Sequence, residues 1–239
     1  MSLSELFTFG NGGWSYLLLN ALMTTLWLSI SGMCLGVLFG ICGALSALSS
    51  IGVLRFVTQV YTTVMRGVPD LLVVYLFYFG SSSALTAIAH FFGAQGFVGA
   101  PEFTIGVFAL AIVAGAYLTE VFRGAVQAID KGEIEAALAF GMRLPQRIRR
   151  IVLPLAIRHA LSGMSNVWQM VLKETALMSV IGLVELMRQS QIAGGSTHKY
   201  FTFYLTAALL YFAISWISGR CFAFAEKCSM RSINFGSGQ

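Results

Sequence analysis

The chain has 239 residues, of which 57% are hydrophobic and only 10% charged. That is too little polar surface to coat a water-soluble domain of this size, which excludes a soluble globular protein. The formal net charge of +5 comes from basic residues concentrated beside apolar runs, a pattern the positive-inside rule explains without nucleic acid as a partner. Apolar stretches of about 20 residues recur five times along the chain, each long enough to cross a hydrocarbon core of ~30 Å as a helix. The expectation is an all-α integral membrane protein with five transmembrane helices in the lipid bilayer, forming a single domain over 1–239.

Residues 1–13 contain no Lys or Arg and close on Gly10-Asn11-Gly12-Gly13. They read as a flexible lead-in without the basic run or small-residue cleavage site of a removable signal peptide. The first span is expected from Trp14 to about Leu48. This is longer than one crossing needs, so it is tilted or lies partly in the interface. Within it Gly32, Gly36 and Gly40 recur every four residues and offer a bare face to another helix.

The second span begins near Leu54 and is interrupted at Arg66-Gly67-Val68-Pro69-Asp70. Proline lacks an amide hydrogen and disfavours helical geometry in the residue before it, so the helix should break here and restart with Pro69 in its first turn. About 13 residues at ~1.5 Å each put the break somewhat beyond mid-bilayer. Such a break is stable only where protein or a wet cavity surrounds it. Asp70 has two readings: it offsets the new helix end or pairs with Arg66, or it faces a transport path and meets a cationic solute group.

Residues 81–102, with Ser81-Ser82-Ser83 and Pro101, read as an external loop with room for a short hydrophobic helix. The third span is expected from Phe103 to Gln127. Glu120 and Arg123 near its inner end are spaced for an intrahelical pair, and Glu120 is also a pathway candidate. The fourth span, Leu155 to Gly182, carries Asn166, Gln169, Lys173 and Glu174 at offsets that share one helix face. A lipid-facing helix would not carry that stripe, which serves either as hydrogen-bonding glue between helices or as the wall of a path. Leu183–Thr197 reads as an amphipathic external helix, with His198 a surface residue. Tyr200 to Phe224 forms the last span, and the polar tail to Gln239 carries no readable function.

Between the third and fourth spans lies the longest island of charge, Glu133 to Pro154. Glu133, Glu135 and the following alanines start a helix, Gly141 ends it, and Leu144-Pro145 starts another. From Arg123 to Arg158 seven Lys/Arg stand against three acids, whereas 1–13 and 81–102 hold no Lys or Arg. The N-terminus is therefore placed outside, this segment inside, and the C-terminus inside after five crossings. Cys34, Cys42, Cys221 and Cys228 have no metal-ligand spacing and read as packing residues, so no metal site is expected. No Gly-Lys-Ser/Thr phosphate loop and no nucleophile constellation occurs, so neither ATP hydrolysis nor another enzymatic activity is expected of this chain.

Glu135-Ala136-Ala137, then Gly141, then Ile151-Val152-Leu153-Pro154 resemble the EAA loop of ABC importer permeases. Tyr61-Thr62-Thr63-Val64-Met65-Arg66-Gly67-Val68-Pro69-Asp70-Leu71, Glu120-Val121-Phe122-Arg123-Gly124 and Leu172-Lys173-Glu174-Thr175-Ala176-Leu177 resemble recurring blocks of polar amino-acid permeases. The nearest likeness is to the histidine/lysine/arginine/ornithine type and its opine-uptake relatives. The resemblance implies a type I ABC importer of the bacterial inner membrane, built from two permease chains (identical or sister), two ATPase chains and a periplasmic solute-binding protein. It implies ATP and Mg²⁺ on the partner ATPase and no cofactor on this chain. The loop at about 131–154 would be the coupling element, with Glu133, Glu135, Ala136, Ala137, Gly141, Arg143 and Arg147 as ATPase-coupling residues. Arg66, Asp70, Glu120, Asn166, Gln169, Lys173 and Glu174 are the pathway candidates. Many relatives have an apolar residue after the Arg-Gly-x-Pro block; Asp70 here matches the basic-amino-acid type, so a basic amino acid or an opine is the expected solute. The alternatives are another polar amino acid, or a sister permease with a structural role and no solute site of its own.

Overall fold

The computed structural model describes residues 6–8, 13–93, 96 and 98–230. Gly10-Asn11-Gly12 of the expected lead-in and the tail 231–239 lie outside the described residues. Described secondary structure is helical throughout: α1 Ser15–Leu48, α2 Gly52–Gly67, α3 Asp70–Phe91, α4 Glu102–Gln127, α5 Lys131–Ala139 and α6 Leu144–Arg147. A π-helical turn, Ile148–Val152, leads into α7, Leu153–Glu174, which continues as a 3₁₀ segment, Thr175–Ile181. α8, Leu186–Thr197, and α9, Tyr200–Met230, complete the chain.

The pairing of α1 with α4 is set by small residues. A Cβ added at Gly32 would meet Leu110, one at Gly36 would meet Ala114, and one at Gly40 would meet Leu118. Both series climb by four, so the two helices run parallel, in contact along a face that only glycine leaves open. The Cβ of a Gly40→Val substitution would sit about 2.6 Å from that of Leu118. Overpacking of this kind costs about 1–3 kcal/mol. We expect the variant to melt several degrees lower or to lose monodispersity in detergent, and an unchanged melt would refute the close approach.

The remaining long helices take their directions from α4. Gly163 faces Val121 and Gly106 faces Met178, so α7 with its 3₁₀ extension runs antiparallel to α4. Gln169 reaches Ser215 and Thr175 lies beside Tyr211, so α9 is antiparallel to α7. The core between them holds Leu28, Val74, Leu110, Ala114, Leu118, Val171 and Met178.

Two expectations change, and hydropathy marks four of the five expected spans. Four described helices are long and apolar enough to cross a membrane: Ser15–Leu48, Asp70–Phe91, Glu102–Gln127 and Tyr200–Ser229. The fifth segment, α7, is amphipathic because its polar stripe and Arg158 dilute the apolar run. Ser81-Ser82-Ser83 do not open a loop; α3 runs through them to Phe91. Ser81 Oγ donates to Phe77 O at 2.5 Å, and Ser82 Oγ accepts from Ala100 N at 3.1 Å. The serines thus satisfy their hydroxyls on the helix and its neighbour rather than competing with the backbone for a turn. Finally, Pro69 caps α3 from outside, and Asp70 is the first helical residue.

Candidate functional site

The break between α2 and α3 is sharp. Val68 adopts φ −93° and ψ 138°, as a residue before proline should, and the helix resumes with Leu72 N donating to Pro69 O at 2.9 Å. On the α2 side, Tyr61 Oη donates to Ile112 O at 2.6 Å and ties α2 to α4. The Arg66 guanidinium lies 5.4 Å from the ring centroid of Tyr117, a cation–π contact. Arg66 and Asp70 form no ion pair. Asp70 instead faces Glu174 at the end of α7, and Glu174 Oε2 is buried with no hydrogen-bond partner. Two carboxyls thus meet beside a helix break, with one lone-pair-bearing oxygen unanswered by the protein. That arrangement favours a bound cation or cationic group.

Below the break, α2, α4 and the end of α1 enclose a cleft of about 710 Å³. Glu120 lines it, paired with Arg123 at 2.5 Å as the spacing predicts, and Arg123 also donates to Gln127 Oε1 at 3.4 Å.

The polar stripe of α7 divides. Asn166 is exposed. Gln169 donates to Ser215 O at 3.0 Å and lies 3.4 Å from Ser218 Oγ, so its amide joins α7 to α9. Lys173 lines an apolar pocket of about 340 Å³ against α8 and α9. Within this chain, only Glu174 of the four joins Asp70.

The island of charge forms a hairpin of short helices. Asp130 caps α5, its Oδ1 accepting from Gly132 N at 2.8 Å. At the other end Gly141 takes φ +72°, while Met142 N donates to Ala137 O at 3.0 Å and Gly141 N to Leu138 O at 2.9 Å. This is a Schellman motif, which requires the left-handed residue that glycine supplies. Arg143 N donates to Gln146 Oε1 at 3.3 Å at the start of α6. In the π turn that follows, Leu153 N reaches back to Ile148 O, a register that suits the missing amide of Pro154. Glu133, Glu135, Ala136 and Arg143 are exposed, Arg147 is half-buried and Ala137 is buried. Phe140 at the tip is 85% exposed, with Leu138 and Leu144 beside it also exposed. An aromatic ring so exposed at the tip of a well-capped hairpin has the character of a docking anchor, and charge patterning alone does not single it out.

A second cluster was also illegible in the sequence. Glu185, fully buried, caps α8 by accepting from Met187 N at 2.8 Å and Arg188 N at 2.7 Å. Tyr211 of α9 donates to it at 2.9 Å, and Thr25 of α1 accepts from Leu186 N at 3.1 Å. Burial pushes the Glu185 carboxyl above the usual carboxylate range, and the Met187 amide, the Arg188 amide and the Tyr211 hydroxyl pull it part of the way back. His198 is exposed in a left-handed turn, φ 57°.

Comparison with known proteins places this geometry. Residues 32–225 match the family described as binding-protein-dependent transport system inner membrane component. The octopine transport system permease protein OccQ of Rhizobium radiobacter is 55% identical over 236 residues, covering 99% of this chain and all of the relative. The nopaline transport system permease protein NocQ of Agrobacterium fabrum is 44% identical, covering 95% and 97%. The histidine/lysine/arginine/ornithine transport system permease protein HisQ of Escherichia coli is 38% identical, covering 90% and 94%. Among solved structures, a crystal structure of an amino acid ABC transporter with histidines superposes with a TM-score of 0.77 at 34% identity, covering 90% of this chain and 94% of that one. An inward-facing methionine ABC transporter shares the fold alone, with a TM-score of 0.71 at 17% identity, covering 96% and 100%. The chain belongs to the binding-protein-dependent transport system inner membrane component family: it is a membrane permease of an ABC importer, with the type I permease fold and with ATP hydrolysis on a separate subunit.

Proposed function

We propose that this permease carries arginine-related solutes, basic amino acids or opines, inward across a bacterial inner membrane. In this reading the segments cross five times with the N-terminus outside and the C-terminus inside, and the antiparallel run of α7 against α4 supports counting α7 as the fifth crossing. The solute arrives from a periplasmic binding protein and passes the break between α2 and α3. A second permease chain completes the path, and two ATPase chains holding ATP and Mg²⁺ grip the hairpin at about 131–154. Arg66 and Glu120 flank the same path on the inner side of the break, while Gln169 joins α7 to α9 and Lys173 lines a separate pocket against α8 and α9. The relatives named for octopine, nopaline and basic amino acids support the solute class.

The observation that carries the reading is the Asp70–Glu174 carboxyl pair, with its buried unpartnered oxygen, at the broken helix. It suits a guanidinium or ammonium group, which donates the hydrogen bonds that two carboxyls cannot supply to each other. A charge-assisted hydrogen bond is worth about 1.5–3 kcal/mol, which converts to a ~10- to 100-fold change in affinity. Asp70→Asn and Glu174→Gln should each raise the half-saturation for arginine-like solutes by that order in proteoliposomes of the assembled transporter. Unchanged half-saturation in an intact assembly would show that the pair does not recognise the solute.

A further inference from the structure

The cleft below the break carries an excess of positive charge that the carboxyl pair does not offset. The positive-inside rule accounts for Arg55 and Arg123 at the inner helix ends, and Arg66, deeper at the break, is left over. Arg55, Arg66 and Arg123 line it against one acid, Glu120. Glu120 is spent on Arg123, and Arg55 and Arg66 have no carboxylate partner among the described residues. Both lie on the face of α2 that also bears Thr58, Gln59 and Thr62, at offsets of 3, 4, 7 and 11 from Arg55, so one helical stripe presents two guanidiniums, an amide and hydroxyls to the cavity. Arg66 is held in place by the face of Tyr117, which orients the guanidinium plane without neutralising it.

We infer that this cleft is a carboxylate-binding site, with Arg66 as its principal ligand, that receives the carboxylate end of a solute whose guanidinium end is held by Asp70 and Glu174. The inference rests on the solute reading above. Arg66 and Asp70 stand on opposite sides of the two-residue break, so the chain separates a cationic compartment from an anionic one within a single turn of backbone. A solute with the opposite polarity fits across it. Planar guanidinium matches carboxylate with two parallel hydrogen bonds, whereas a second cation in the cleft is repelled. The arrangement therefore selects by carboxylate number. An arginine-derived opine such as octopine carries two carboxylates and no net charge, arginine carries one with net charge +1, and agmatine carries none with net charge +2. The order of preference for the cleft follows that series.

The test uses the assembled transporter, without binding protein or nucleotide, and measures equilibrium binding of labelled octopine and agmatine. The expected result is octopine bound at least tenfold more tightly than agmatine, with that ratio falling about tenfold in Arg66→Gln and about threefold in Arg66→Lys, which keeps the charge and loses the fork. An unchanged ratio in both variants, or equal weakening of both compounds, would overturn the site. A second arm needs no variant: phenylglyoxal modification of Arg66, followed by mass spectrometry, should slow severalfold with octopine or succinate present. Protection by succinate without octopine binding would uphold the cleft and sink the solute reading. Octopine binding without protection of Arg66 would do the reverse. Protection by phosphatidylglycerol nanodiscs but by neither soluble carboxylate would overturn the proposal in favour of a lipid headgroup.

Discussion

Glu135→Lys, and independently Gly141→Val, should reduce solute-stimulated ATP hydrolysis of the assembled transporter to its unstimulated rate while leaving the permease folded in the membrane. Gly141 sits at φ +72°, where a residue with a Cβ costs about 1–2 kcal/mol and a β-branched one more. That strain is local to an exposed hairpin whose other contacts to the bundle are few, so it redirects α5 against α6 rather than unfolding the spans. Glu135 is exposed and makes no ion pair among the described residues, so reversing its charge acts on whatever docks there. Phe140→Ala should give a similar loss by removing an aromatic anchor. Full stimulation by solute and binding protein in either Glu135→Lys or Gly141→Val would remove the coupling assignment.

Glu185→Ala should produce the largest loss of stability among single changes away from the glycine seam. Its removal takes the acceptor from the Met187 and Arg188 amides and leaves the Tyr211 hydroxyl with Thr175 alone, around a carboxyl that is itself fully buried. Leaving a buried hydrogen-bonding group unsatisfied costs about 1–3 kcal/mol, so losing this shared acceptor should cost on the order of 3 kcal/mol. For a chain of this size that is a fall of about 6–10 °C in melting temperature. Tyr211→Phe, which removes one donor, should cost a fraction of it. The carboxyl's folded pKa lies above its unfolded value, so its ionisation favours the unfolded chain. The stability linked to that shift is complete below the unfolded value and is lost as pH rises through the folded one. Glu185→Gln should flatten that slope. Melting of Glu185→Ala within a degree of the parent would show that the network does not hold α8 to α1 and α9.

Much of this architecture can be read from residue patterns because it is local. The glycine repeat in α1, the proline after Arg66, the Glu120–Arg123 spacing and the helix stop at Gly141 are each decided by a few neighbours along the chain, and the structure has each of them. What the sequence hides depends on partners far away. The serines at 81–83 signal a turn, yet the Phe77 carbonyl and the Ala100 amide let the helix continue. The α7 stripe looks uniform because periodicity reports which residues share a face and says nothing of what that face meets; α9 takes Gln169, α3 takes Glu174, and Lys173 turns to a different pocket. Glu185 gives only a faint signal, an acid just ahead of a helix, since its burial is made by α1 and α9. The likeness of the Arg66 segment to a recurring permease block says nothing of Tyr117, which lies 51 residues away and packs against the guanidinium.

The hairpin couples transport to ATP hydrolysis only if the ATPase holds it. With Cys34, Cys42, Cys221 and Cys228 replaced by serine, a cysteine substituted for Phe140 in the assembled transporter should cross-link to the ATPase subunit in good yield, at a rate that changes when ATP is added. If that cysteine instead reacts freely with a membrane-impermeant maleimide from the cytoplasmic side, with no adduct to the ATPase in either nucleotide state, the hairpin is not the coupling element and the transport mechanism built on it fails.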